Sequence, residues 1–194
     1  MTRWARATAY FAVCLVVGWL SGVLPDAVGD PDPLAVVGCL ALEVVAYGVI
    51  WPIGTYTLDR RRDWVSPAFG AVWGVCEAQL LLSGYVLVEQ LDLGRWPTVG
   101  LAFALLSAFQ GAWHALYWDL KVAPEHNDPA WNLRKVLLCH VPNLAATLSF
   151  YAVSGSALWF VVFQTVSLTL SSTAMRFPRP SESEPVRRLD HAAG

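Results

Sequence analysis

Charge is what this sequence has least of. Only 14% of its 194 residues are Asp, Glu, Lys or Arg, where a soluble domain carries roughly 25%. With 56% of the residues hydrophobic, an ordinary water-exposed surface is excluded. The net charge of −2 supplies no basic face for a phosphate backbone, so no nucleic-acid partner is expected. Histidine is scarce at four residues, too few for the iron pair of a membrane desaturase or hydroxylase. There is no DDxxD run to hold magnesium and diphosphate, as metal-dependent terpene synthases require. No GxSxG marks a serine hydrolase, and no filter-like segment or charge ring marks a channel. Cys14, Cys39, Cys76 and Cys139 form no CxxC pair and fall inside apolar stretches. They read as small buried residues, not as disulfides or zinc ligands.

What is abundant is the long apolar run. Six stretches approach the roughly 20 residues that cross a bilayer: 7–24, 33–56, 66–90, 97–118, 135–153 and 156–175. The expected fold is therefore all-α, a polytopic bundle of six transmembrane helices over residues 1–176. A polar, Pro-rich tail, 177–194, is expected to be disordered. The first stretch lacks a small-x-small cleavage site, and Trp19, Pro25 and Asp26 suit a retained helix better than a signal peptide. Basic residues set the orientation. Arg3, Arg6, Arg60, Arg61, Arg62, Lys121, Arg134, Lys135, Arg176, Arg179, Arg187 and Arg188 all fall on one side of the six-span arrangement, and Arg95 falls on the other. Both termini are then cytoplasmic and the location is the plasma membrane, inner in a cell with two. "SGS" at 154–156 reads as a tight hairpin.

Ionisable side chains within such spans are expensive, so each is a site candidate. Glu43 sits near the middle of span two, roughly 15 Å from the outer edge at 1.5 Å per residue. Glu77 sits near the middle of span three, roughly 20 Å deep by the same measure. The two carboxyls are expected to share one cavity. His114 and His140 lie in the inner thirds of spans four and five, with Asn143 one turn beyond the latter. Asp119 marks the boundary, and Glu125, His126 and Asn127 follow in the loop. Helical spacing places Glu43 with Tyr47, Trp73 with Glu77, and Gln110 with His114 and Trp118. Trp73 and Trp113 are deep. Trp4, Trp19, Trp51, Trp64, Trp96, Trp118 and Trp131 lie near span ends and fit an interfacial belt. Gly18-x-x-x-Gly22 and Gly70-x-x-x-Gly74 read as helix contact faces. Structural roles also exist for the polar set: His140 in packing, Asp119 paired to Lys121.

A carboxyl in a dry, apolar surround favours its neutral form and can serve as a general acid. A histidine can relay the proton. Aromatic faces stabilise cations best where water is excluded. Acid, aromatic wall and lipid access suit the protonation of an alkene or epoxide in a prenyl chain, followed by carbocation cyclisation or double-bond migration.

The stretch "WDLKVAPEHNDPAWNLRKVLLCHVPNL", with Glu43 and Glu77 upstream, resembles the integral-membrane meroterpenoid cyclases of fungal and bacterial natural-product pathways. Bacterial members of that family cyclise farnesylated indole or diketopiperazine compounds. The resemblance implies a metal-free membrane cyclase in which two acids protonate the terminal alkene or epoxide, acting on a prenylated small molecule without a cofactor. A looser likeness is to small membrane sterol isomerases. On this reading Glu43, Glu77 and Asp119 are candidate proton donors or cation stabilisers, and His114 and His140 relay the proton. Tyr47, Trp73, Gln110, Trp113, Trp118 and Asn143 line the cavity, and Glu125, His126 and Asn127 cap its cytoplasmic mouth. Two other classes stay open. His114 and His140 at matched depth fit bis-histidine haem ligation, and a non-catalytic lipid or isoprenoid carrier fits the same greasy interior.

Overall fold

The structure, a computed structural model, describes residues 3–23, 28–29, 31–53, 64–114 and 133–174. Asp119, Trp118, Glu125, His126, Asn127, Trp131 and the tail from 177 lie outside the described residues. The described chain is all-helical. Six helices follow one another: α1 Arg3–Leu20, α2 Pro33–Ile50, α3 Val65–Glu89, α4 Arg95–Trp113, α5 Leu133–Ser154 and α6 Ala157–Thr173. They match the six expected stretches to within a few residues at most ends, and α1 starts four residues early. Its first turns carry Arg3 and Arg6, so the apolar run underestimates the helix.

Three of the six, α2, α3 and α5, are long and apolar enough to cross a membrane. The surface is apolar as well: Val13, Val16, Leu20, Val37, Val45, Val49, Val72 and Leu87 are all exposed. The interior holds Glu43, Glu77, Lys135, Asn143 and Gln164. A fold with oily outside and polar inside is what a lipid solvent selects, because polar groups there must find partners within the protein.

Helix ends explain the turns. Asp32 caps α2 by accepting from Leu34 N at 3.0 Å, with Pro33 in the first turn. Gly155 takes a left-handed φ of 64°, which ends α5 and reverses the chain. Ser156 then caps α6, its Oγ accepting from Trp159 N at 3.4 Å, and donates to Val28 O at 2.6 Å. The expected hairpin at 154–156 is this turn.

Helix α3 runs through the middle and packs on α6, α1 and α4. Its approach to α6 depends on two glycines. A Cβ at Gly70 would strike the Leu168 carbonyl, and one at Gly74 would strike the Thr165 backbone. The other small-residue pair behaves differently. Gly18 packs on Gln79, whereas Gly22 has a φ of +71° and nothing near it. Gly22 therefore serves a turn and not a helix contact.

Two stretches of helix are wound as π-helix: Val44–Ile50 in α2 and Val136–His140 in α5. They face each other, and the Cys139 thiol bridges them by donating to Ala46 O at 3.1 Å. The i→i+5 winding is seen in the bond from Trp51 N to Ala46 O, 2.8 Å. Such segments re-aim side chains and recur at functional sites.

Candidate functional site

The π-wound turns deliver Tyr47 and His140 to a cavity of about 40 Å³ between the helices. From α2 come Tyr47 and Trp51. From α3 come Trp73 and Glu77. Gln110 and His114 reach in from the end of α4, and His140 and Asn143 from α5. The wall opposite belongs to α6, through Gln164, Ser167, Leu168, Ser171 and Ser172. A buried water needs about 10–15 Å³, so the cavity has room for a few.

Glu77 is 8% exposed and opens on this cavity. Trp73, Gln110 and His114 surround its carboxyl. Tyr10 of α1 points its hydroxyl at Glu77 Oε1, at a long 3.5 Å. The Tyr10 ring stacks on Trp113, centroids 4.7 Å apart at 25°, and meets the edge of Trp73 at 6.3 Å. The two histidines come together, ring centroids 5.8 Å apart. The edge of His140 also meets Trp51 at 5.4 Å and Tyr47 at 6.3 Å. One carboxyl, two imidazoles and three aromatic walls therefore share a single space. Such a space can hold a proton, pass it between neighbours and stabilise a cation through ring faces.

Glu43 departs from expectation. It is 0% exposed, yet it does not line the cavity. Its Oε2 accepts from Asn143 Nδ2 at 2.7 Å, and Asn143 is what reaches the cavity. Helical spacing puts Glu43 on one face with Tyr47, but the Asn143 side chain binds the Glu43 carboxyl and reaches the cavity in its place. The two carboxyls do not share a void.

Trp113 also differs. It stands behind the cavity, stacked on Tyr10, and does not line it. Trp51, whose place near a span end fits an interfacial belt, is 3% exposed and forms a cavity wall instead. Lys135, expected among the basic residues at the junction of spans four and five, is fully buried with its Nζ 4.4 Å from the centroid of the Trp51 ring. All four cysteines are free; Cys14, Cys76 and Cys139 are buried and Cys39 half-buried.

Sequence reasoning passed over Tyr10, Trp51, Gln164, Ser167, Ser171 and Ser172. The α6 residues carried a legible signal, since 164, 167, 171 and 172 recur on one helical face. For haem, the fit fails on space, because a cavity of about 40 Å³ does not hold a porphyrin. No protein-family model, no curated protein and no solved structure matches this chain.

Proposed function

We propose that this chain is a six-span membrane enzyme that protonates the alkene or epoxide of a prenyl chain and guides the resulting carbocation to a cyclised isomer. The observation that carries this reading is the carboxyl of Glu77 facing a cavity walled by Tyr47, Trp51 and Trp73. The wider expectation, that all six helices cross the bilayer with both termini cytoplasmic, draws support from the apolar outer surface and from the basic residues that the sequence places on one side of a six-span arrangement.

The chemistry balances without a co-reactant. The carboxyl O–H of Glu77 gives its proton to the terminal alkene carbon, or to an epoxide oxygen. The alkene's π electrons form the new C–H bond and leave a tertiary cation. The next alkene attacks that cation and closes a ring. The last cation loses a proton, which returns to Glu77 directly or through His114 and His140. The rings of Tyr47, Trp51 and Trp73 hold the moving positive charge; each such contact contributes roughly 0.5–2 kcal/mol. A cavity of about 40 Å³ must widen to admit a prenyl chain, so entry requires helices to part on the lipid side.

The test is to express the chain in a host supplied with a prenylated small molecule that ends in an alkene. The expected result is a cyclised product of unchanged mass. Recovery of the unchanged prenyl compound bound tightly to the protein would identify a carrier and overturn the reading.

A further inference from the structure

Behind the cavity runs a one-way chain of buried hydrogen bonds. Glu43 Oε2 on α2 accepts from Asn143 Nδ2 at 2.7 Å. Asn143 Oδ1 on α5 accepts from Gln164 Nε2 at 3.0 Å. The same Gln164 nitrogen also points at Thr147 Oγ1, 3.4 Å away, and Thr147 in turn donates to Asn143 O at 2.9 Å. All four side chains are buried.

The direction of this chain follows from its first member. An acceptor at Glu43 turns the nitrogen of Asn143 towards it and leaves the Asn143 oxygen facing α6. That oxygen turns the nitrogen of Gln164 inward. Each amide has one oxygen and one nitrogen, so orienting one orients the next. What remains of Gln164 is its carbonyl oxygen Oε1. Gln164 lines the cavity, and its Nε2 is taken up by Asn143 and Thr147. Further along the same wall, the buried Ser172 Oγ lacks a partner among the described residues. A buried polar atom left unpaired costs free energy until a ligand or water satisfies it.

We infer that Gln164 is the residue that selects for a hydrogen-bond donor on the guest, and that Glu43, acting through Asn143, is the positioning residue that keeps the Gln164 oxygen facing it. This deepens the proposed function, since it rests on the cavity receiving an isoprenoid guest. The guest class it names is an isoprenoid bearing O–H or N–H, in preference to the same chain with that hydrogen replaced by methyl. It also gives Glu43 a task in a place where no guest touches it.

The experiment uses the full chain in lipid nanodiscs, with farnesol and farnesyl methyl ether as paired probes and saturable change in tryptophan fluorescence as the readout. One additional hydrogen bond makes wild type bind farnesol about three- to tenfold more tightly than the ether. Gln164→Leu abolishes that preference. Glu43→Gln abolishes or reverses it, because a glutamine at 43 can donate to Asn143 Oδ1 and let both amides turn over. If Glu43→Gln does not fold, Asn143→Leu breaks the same link with the same expected loss. Binding is read without turnover, so failure of the proton-transfer reading would leave this result standing. Equal binding of the two probes by wild type overturns the inference, as does the absence of saturable farnesol binding. A merely structural Glu43 would lower the melting temperature of Glu43→Gln and leave the ranking of probes unchanged, which overturns the positioning role.

Discussion

At the end where α3 turns into α4, Leu81, Leu82, Tyr85, Leu148 and Phe160 fill the space between the helices. At the other end the same helices carry Tyr47, Trp51, Trp73, His114 and Glu77 around a void. The first end is built from side chains that interlock: Phe160 and Leu81 are fully buried, and Tyr85 and Tyr151 meet edge to face at 5.2 Å. The second end is built from large rings and polar groups that do not fill it. Packing at one end holds the helices in register. That lets the other end keep a gap and unpaired polar atoms that a uniform core would eliminate. Stability and chemistry are thus assigned to opposite ends of one bundle, and substitutions should separate them.

The sharpest separation is expected at Glu77. Glu77→Gln keeps the shape and removes the acid. Turnover of a prenylated guest should fall by about 10²–10⁴-fold with little change in melting temperature. A comparable free energy should be lost in the opposite currency at Phe160: Phe160→Ala leaves a hole in the packed end, costing about 3–5 kcal/mol of stability. The product formed per folded molecule should stay as in wild type. Retention of stability by Phe160→Ala, measured by denaturant or thermal unfolding in mild detergent, would break the contrast.

Smaller effects refine it. Trp73→Leu removes a ring from the cavity wall and should slow turnover by roughly tenfold, from about 1–2 kcal/mol of lost cation stabilisation. It should also shift the product mixture towards earlier-quenched cations, as product analysis by chromatography would show. The smallest change is expected for Tyr10→Phe. It removes a hydrogen bond of 3.5 Å but keeps the stack on Trp113, so turnover should change by about threefold or less. A larger loss would move Tyr10 into the proton-handling set.

The six helices were legible because length and apolarity are written residue by residue. Glu77, His114, His140, Tyr47, Trp73, Gln110 and Asn143 were legible as well, because a polar group in an apolar helix has to face inward. Depth could be counted along the chain, but rotation about the helix axis could not. Glu43 shows the difference: its place along the chain suits the cavity, yet its carboxyl meets Asn143 and does not line the void. Nothing in "EVVAYGVIW" announces the π-winding at Val44–Ile50 either. Trp51 was misread for a related reason. Being near a span end fits an interfacial ring, and only the packing of Lys135 over it reveals the burial. Nothing on its own helix marked Tyr10 as a site residue, and its place beside the cavity comes from Glu77, 67 residues away.

Proton transfer from Glu77 to carbon is tested most directly by turnover in D₂O with a guest that ends in an alkene. Wild type should yield a cyclised product with one deuterium bound to the carbon that was the alkene terminus, and Glu77→Gln should form that labelled product at least a hundredfold more slowly. Cyclised product without the deuterium, or the same label appearing at the wild-type rate in Glu77→Gln, would contradict the account.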